Sequence, residues 1–328
     1  MHRGSSTPGP GLLSGALGDF DRTRALLDGR VRVAGFDVEW QSGELESIFS
    51  RALEHAELDI TELSFSNFLI AAAKGACPYL ALPVFPTRCF RHHALFVRGG
   101  IRAPRDLEGK RIGLREYTNT ASLVLRGILA GYYGVKLETV RWVVGDVERR
   151  ERSAFALPSL PPPYRIAAET GALLADLLEA GELDGLIAYA PPRCLGRNGV
   201  RRLFERWWEE EARYFQATGV FPIMHVVVLR RSLAERHPGL ARALYDAFCE
   251  AKRLALRDLE TESAPKTMLP WAPAHLLETR RILGDDYWSY GLRANRRTLE
   301  TQIGFSREQH LIARDVPLEE LFLNVEES

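Results

Sequence analysis

Residues 12–63 decide the fold: LLSGALGDFDRTRALLDGRVRVAGFDVEWQSGELESIFSRALEHAELDITEL. Short apolar runs alternate here with longer segments of helical periodicity. Residues 12–17 read as a strand and residues 21–29 as a helix, with Asp19 or Asp21 as its cap and Gly29 as its stop. Residues 36–40 alternate apolar and polar side chains, the period-two signature of a strand. Residues 44–55 return to helical spacing, and residues 58–63 form a further strand. This βαβαβ order predicts an α/β sheet with helices packed on it.

A second unit opens near residue 98. Residues 110–114 read as a strand, 121–133 as a helix ended by Gly134, 172–180 as a helix and 183–189 as a strand. Between them, residues 145–163 end in three consecutive prolines from Pro161, which regular structure does not accommodate. A connection of that length is more often a functional loop or lid than a plain linker. ALEHAELDITEL (52–63) and LLEAGELDGLIA (177–188) share a helix end, Glu-Leu-Asp and then an apolar strand. The echo fits two α/β lobes presenting strand ends to a shared ligand crevice. The chain is expected to cross between lobes at residues 94–97 and return at 225–229. This divides it into a flexible tail (1–10), a first lobe (11–97), a second lobe (98–224) and a return to the first (225–328). Helices from Leu233, Ala274 and Leu292 would complete the first lobe.

A chain of 328 residues suits two lobes of about 100–200 residues each. Lys plus Arg equals Asp plus Glu at 43 each, so no overall basic field attracts nucleic acid. The longest uninterrupted apolar stretch, Phe68–Ala73, falls far short of the ~18 residues of a membrane helix. The start carries Gly and Pro where a secretory leader is continuously apolar, so a cytoplasmic protein without a membrane partner is expected. Cys77, Cys89, Cys194 and Cys249 include no Cys-x-x-Cys pair, which argues against a structural zinc site and for small packing residues. Phosphate-loop, dinucleotide, Gly-x-Ser-x-Gly and His-Glu-x-x-His patterns are missing, disfavouring ATP, NAD, serine-hydrolase and zincin chemistry.

The densest chemical signal is PVFPTRCFRHH (83–93). Its two prolines end the preceding strand, leaving Arg88, Arg91 and His92 in a loop or at the start of the crossing strand. Two neighbouring guanidiniums call for an anion or for acids between them, and Arg grips carboxylate bidentately where Lys does not. A surface basic cluster, or an Arg paired with Glu62, is the competing reading. His92 and His93 would point to opposite faces of a strand and so would not share a metal. Glu116-Tyr117-Thr118-Asn119-Thr120 lies between a strand and a helix, where N-cap residues and free backbone N–H groups suit a carboxylate. Simple capping explains most such turns. His225 enters an apolar strand, where a lone His is usually a satisfied core residue, but its place at the return crossing strengthens the case for a cleft position. Glu62, Ser64, Ser66 and Asn67 end one strand and open the next helix, serving as caps by default and as cleft wall by position.

Six segments together resemble the 4,5-dihydroxyphthalate decarboxylase family. They are DFDRTRALLDGRV (19–31), PVFPTRCFRH (83–92), DLEGKRIGLREY (106–117), GVFPIMHVVV (219–228), KTMLPW (266–271) and LGDDYWSYGLRANRRTLE (283–300). The likeness spans roughly residues 11–322. It implies a type 2 periplasmic-binding-protein-like fold of two lobes and non-oxidative decarboxylation of a dihydroxylated aromatic acid to a dihydroxybenzoate, without cofactor or metal. The implied partner is a small aromatic carboxylate, and a homo-oligomer is compatible with it. Arg88 and Arg91 are assigned to the carboxylates and His92 or His225 to proton transfer. Glu62 orients a His or accepts a phenol proton, and Ser64, Tyr117, Thr118, Asn119 and Thr120 contact substrate. Thr118 and Asn119 replace larger residues of the family pattern, Arg115 replaces a proline, and Ala190 stands near an expected arginine, with Arg193 three residues on. The competing class is a solute-binding protein of the same fold; a third reading is an enzyme for another hydroxyaromatic acid.

Overall fold

The computed structural model describes residues 11–150 and 157–325, so the expected tail over residues 1–10 lies outside the described residues. The first segment runs β1 (Leu13–Leu17), α1 (Asp21–Leu27), β2 (Val38–Ser42), α2 (Leu45–Leu53), β3 (Ile60–Ser64), α3 (Phe65–Ala73), β4 (Tyr79–Ala81) and β5 (Thr87–Arg88). A second segment follows with β6 (Leu95–Val97), β7 (Arg111–Leu114), α4 (Thr120–Gly131), β8 (Arg141–Gly145), β9 (Arg165–Glu169), α5 (Leu174–Ala180), β10 (Gly185–Ile187), β11 (Arg201–Arg202) and α6 (Trp207–Thr218). The chain ends with β12 (Ile223–Arg230), α7 (Arg231–Arg236), α8 (Pro238–Leu259), α9 (Ala272–Leu283), α10 (Leu292–Glu308) and α11 (Leu318–Leu321).

The strands form two sheets. In the first, β2, β1 and β3 are parallel, and β12 inserts antiparallel between β3 and β4 and also pairs β5. In the second, β10, β7, β8 and β9 are parallel, with β6 and β11 added antiparallel at one side. Strand β6, expected at the end of the first lobe, therefore belongs to the second sheet: its short Leu-Phe-Val run pairs β10 and is wholly buried. The apolar faces sit in separate cores, one containing Leu17, Phe65, Val227 and Phe248, another containing Leu95, Leu114, Leu125 and Trp142.

Helix α10 corrects a second expectation. It does not only complete the first lobe, because Leu299 and Ile303 join the first core while Phe305 joins the second. A Cβ on Gly127 of α4 would lie 2.3 Å from the Phe305 ring, so glycine is what lets the two helices approach. Gln302 clamps β12, accepting from the Ile223 N–H at 2.9 Å and donating to its carbonyl at 2.8 Å. No helix among the described residues is long and apolar enough to cross a membrane.

Candidate active site

A cleft of about 780 Å³ opens where the two sheets face each other. One wall carries Phe49, Ser64, Asn67 and His225; the other carries Arg115, Glu116, Asn119, Thr120 and Tyr189, and Arg91 reaches in from the connection after β5. The arrangement follows from topology: β3 and β7 both run into helices here, so side chains at their C-terminal ends converge.

His225 lines the first wall, which also carries Glu44, Glu46 and Glu54 around α2. It sits opposite Ser64 in the β12–β3 pairing. Its Nδ1 lies 2.5 Å from Oε1 of Glu62, a fully buried carboxylate in the middle of β3. A buried carboxylate in a central strand requires donors to offset lost hydration. Glu62 has them: the Gly18 N–H donates to Oε2 at 3.0 Å and the Thr87 hydroxyl to Oε1 at 3.1 Å. Phe49 meets the imidazole edge-on, with ring centroids 5.1 Å apart. With Nδ1 engaged by Glu62, Nε2 is the nitrogen with bonding capacity to spare in the cleft.

Two helices begin beside this pair. Asn119 caps α4 by accepting from the Ser122 N–H at 2.9 Å. The Ser64 hydroxyl at the start of α3 instead meets the Thr120 hydroxyl at 2.9 Å, and the Ser66 N–H donates to that same Thr120 oxygen. The two N-termini, from opposite walls, are thus stitched together with their positive ends at the cleft, where an anion is favoured. Arg91 adds a full charge. Its φ of 80° lies in the left-handed region, which costs an L residue about 1–2 kcal/mol. Its guanidinium lies 5.4 Å above the Tyr189 ring, with Nε on the Met224 sulfur at 3.3 Å.

On the second wall, Glu116 accepts from Asn67 at 3.1 Å and from Thr118 at 2.9 Å. Burial raises its carboxyl above the usual carboxylate range, against the lowering effect of those donors. Arg115 forms a two-pronged pair with Glu46 of α2 at 2.5 and 2.6 Å, joining the walls at the cleft rim. Among the described residues no group of three His, Cys, Asp or Glu could hold a metal.

Arg91, Ser64, Asn119, Thr120 and His225 share this cleft, with Glu62 directly behind His225. The other candidates lie elsewhere. Arg88 is buried and bonds the carbonyls of Phe221 and Ser289 and the side chain of Asn295, so it braces α10 rather than a ligand. His92 is completely buried among Tyr133, Phe204 and Tyr214. It lies in a 3-10 turn, His92–Ala94, not a strand, and both His92 and His93 approach Glu211, at 3.9 and 3.3 Å. Tyr117 is buried under the Arg126 guanidinium, 3.6 Å from its ring centroid. Thr118 acts through Glu116. Tyr189, whose hydroxyl receives the Asn119 amide, was not anticipated, although its place just past β10 is where α/β sheets bind ligands.

No family model matches the sequence. The chain is 39% identical over 315 residues to 4,5-dihydroxyphthalate decarboxylase of Comamonas testosteroni, covering 94% of this chain and 96% of that one. A 4,5-dihydroxyphthalate decarboxylase of Pseudomonas putida is 41% identical over 186 residues, covering 56% of this chain and 72% of that one. Among solved structures, the periplasmic aliphatic sulphonate binding protein SsuA from Escherichia coli superposes with a TM-score of 0.54 at 15% identity, covering 96% of this chain and 93% of that one. At that identity the likeness shows the fold alone.

Proposed function

The chain belongs to the 4,5-dihydroxyphthalate decarboxylase family, and from that premise we propose that it converts 4,5-dihydroxyphthalate to 3,4-dihydroxybenzoate in the cleft, with His225 moving the proton. The fold is that of a binding protein and the activity is that of a carboxy-lyase. The observation that carries the mechanism is the His225–Glu62 pair beside two helix N-termini.

Loss of CO2 from an aryl carboxylate replaces a carbon–carbon bond by a carbon–hydrogen bond, so a proton must reach the ring carbon. Each carboxyl of 4,5-dihydroxyphthalate has a para hydroxyl that feeds electron density to that carbon, and the ring serves as its own electron sink. In this reading the spectator carboxylate rests on the N-termini of α3 and α4 and on Arg91, with Tyr189 against the ring. His225 Nε2–H delivers the proton, the carbon–carbon bond breaks, and His225 regains a proton from solvent. Glu62 stabilises the imidazolium and fixes its tautomer through Nδ1. Glu116, whose carboxyl burial raises, lines the opposite wall as a second group able to exchange a proton with the phenol.

The test is a panel of hydroxylated aromatic diacids with CO2 release as the readout. Turnover of 4,5-dihydroxyphthalate is expected, with His225→Asn lowering kcat by ~10²–10⁴-fold and sparing diacid binding. Tight binding without turnover across the panel would instead establish the solute-binding reading.

A further inference from the structure

Outside the cleft, the connection from β5 to β6 builds a second constellation with α6. Cys89 is partly exposed, and its sulfur lies 4.0 Å from Nε2 of His93. The opposite ring nitrogen, Nδ1, lies 3.3 Å from Oε1 of Glu211. Thiol, imidazole and carboxylate therefore stand in a row, with one ring nitrogen of His93 for each neighbour. Nothing in the decarboxylation uses them.

The surroundings give the chain of contacts a direction. His92 also approaches Glu211 Oε1, at 3.9 Å, but neither of its ring nitrogens has a hydrogen-bond partner among the described residues. Burial, then the charge of His93, pushes it down to about 4, so it stays neutral. Glu211, only 8% exposed, is left with His93 as its counter-charge. The contacts with Cys89 and then Glu211 push His93 up to about 9. Arg202 donates to the His93 carbonyl, and Arg88 points away to Asn295, so neither cation competes for the ring nitrogens. A protonated imidazole beside sulfur stabilises the thiolate as it forms, and thiolate is the attacking species. Burial raises Cys77, Cys194 and Cys249, which favours their inert protonated form.

We propose that Cys89, with His93 and Glu211, is a modification site for small-molecule disulfides. Beside the protonated His93 the Cys89 thiol gives its proton to solvent, the thiolate attacks one sulfur of the disulfide, and the old S–S bond breaks as the new one forms. The departing thiolate exchanges its proton with solvent, and His93 keeps its charge throughout. One protein thiol becomes a mixed disulfide and one small thiol is released. The adduct would sit two residues from Thr87, which holds Glu62, and two from Arg91, which lines the cleft.

The experiment uses the full chain with the aromatic disulfide 5,5′-dithiobis(2-nitrobenzoate) under native conditions, following released thiolate and locating the adduct by peptide mass spectrometry. One thiol is expected to react at least ~10-fold faster than the others, on the peptide carrying Cys89. The fast phase should vanish in Cys89→Ser and slow by ~10-fold in His93→Gln and in Glu211→Gln, which preserves side-chain shape. Circular dichroism and a four-thiol total in denaturant identify correctly folded, chemically intact protein for the two slowed variants. A fast phase that survives Cys89→Ser overturns the proposal. So does a Cys89 rate unchanged in folded Glu211→Gln.

Discussion

Replacing Glu62 by Gln removes one negative charge behind His225 and alters little else. The carboxylate is fully buried and holds three donors: Gly18 N–H at 3.0 Å, the Thr87 hydroxyl at 3.1 Å and His225 Nδ1 at 2.5 Å. A Gln carbonyl in the place of Oε2 can still accept from Gly18, while its NH2 group then faces Thr87 and His225. What is lost is the charged acceptor for His225. A hydrogen bond to a charged group contributes about 1.5–3 kcal/mol net. At about 1.4 kcal/mol per decade, kcat should fall roughly ten- to a hundredfold. Glu62 does not itself line the cleft, so KM should stay within about twofold, the pattern of a group acting only on the chemical step. Single-turnover CO2 release gives the rate, calorimetry with a non-reacting diacid gives the affinity, and a thermal melt shows that the variant is folded. Glu62→Asp keeps the charge and should recover part of the rate, which a purely structural role would not predict. A folded Glu62→Gln with wild-type kcat would remove the pair from the mechanism.

Other outcomes follow from the groups placed outside the cleft. Arg88→Met should destabilise the protein by ~2–4 kcal/mol in denaturant titration, by stranding two carbonyls and Asn295, yet leave diacid affinity near wild type; loss of affinity without loss of stability would return Arg88 to the substrate. His92 has a folded value of about 4, below the ordinary 6.5, so the unfolded chain takes up this proton first. Its contribution is therefore intact above pH 6.5 and is lost as the pH falls towards 4, by up to about 3 kcal/mol. His92→Leu should flatten that part of the stability profile, and an unchanged slope would contradict the assignment. Exhaustive chelation should leave CO2 release unaltered; activity lost and then restored by one added metal ion would refute a metal-free reaction.

Much of the fold was legible because both units obey simple periodicity. The strand at 58–63 and the helix that follows it appear almost where expected, as β3 and α3. That rhythm also located Ser64, Thr120 and His225, since each lies at or near a strand or helix end facing the crevice. The segment 83–93 was less legible for a local reason. Its charged residues fan out in different directions: Arg88 goes to Asn295, Arg91 turns into the cleft through a positive φ, and the 3-10 turn sends His92 into an aromatic box. A positive φ at Arg91 has no composition signal, because glycine or asparagine normally marks such a position. Glu62 and His225 are 163 residues apart, and only the register of β12 against β3 joins them.

The position of β12 also orders the protein's assembly in time. The second sheet is complete once residue 202 has been made, from one continuous stretch that begins at residue 95. The first sheet cannot close so early, because its strand between β3 and β4 is not synthesised until residues 223–230. Chains emerge N-terminus first and domains fold largely as units. The middle of the chain should therefore condense first, while the earlier strands wait as an open edge. Helix α10 arrives after β12 and laces both cores together through Ile303 and Phe305. A ribosome stalled before residue 223 would thus present a folded second lobe joined to an unfinished first one, a nascent chain in need of protection at the exposed edge of β3.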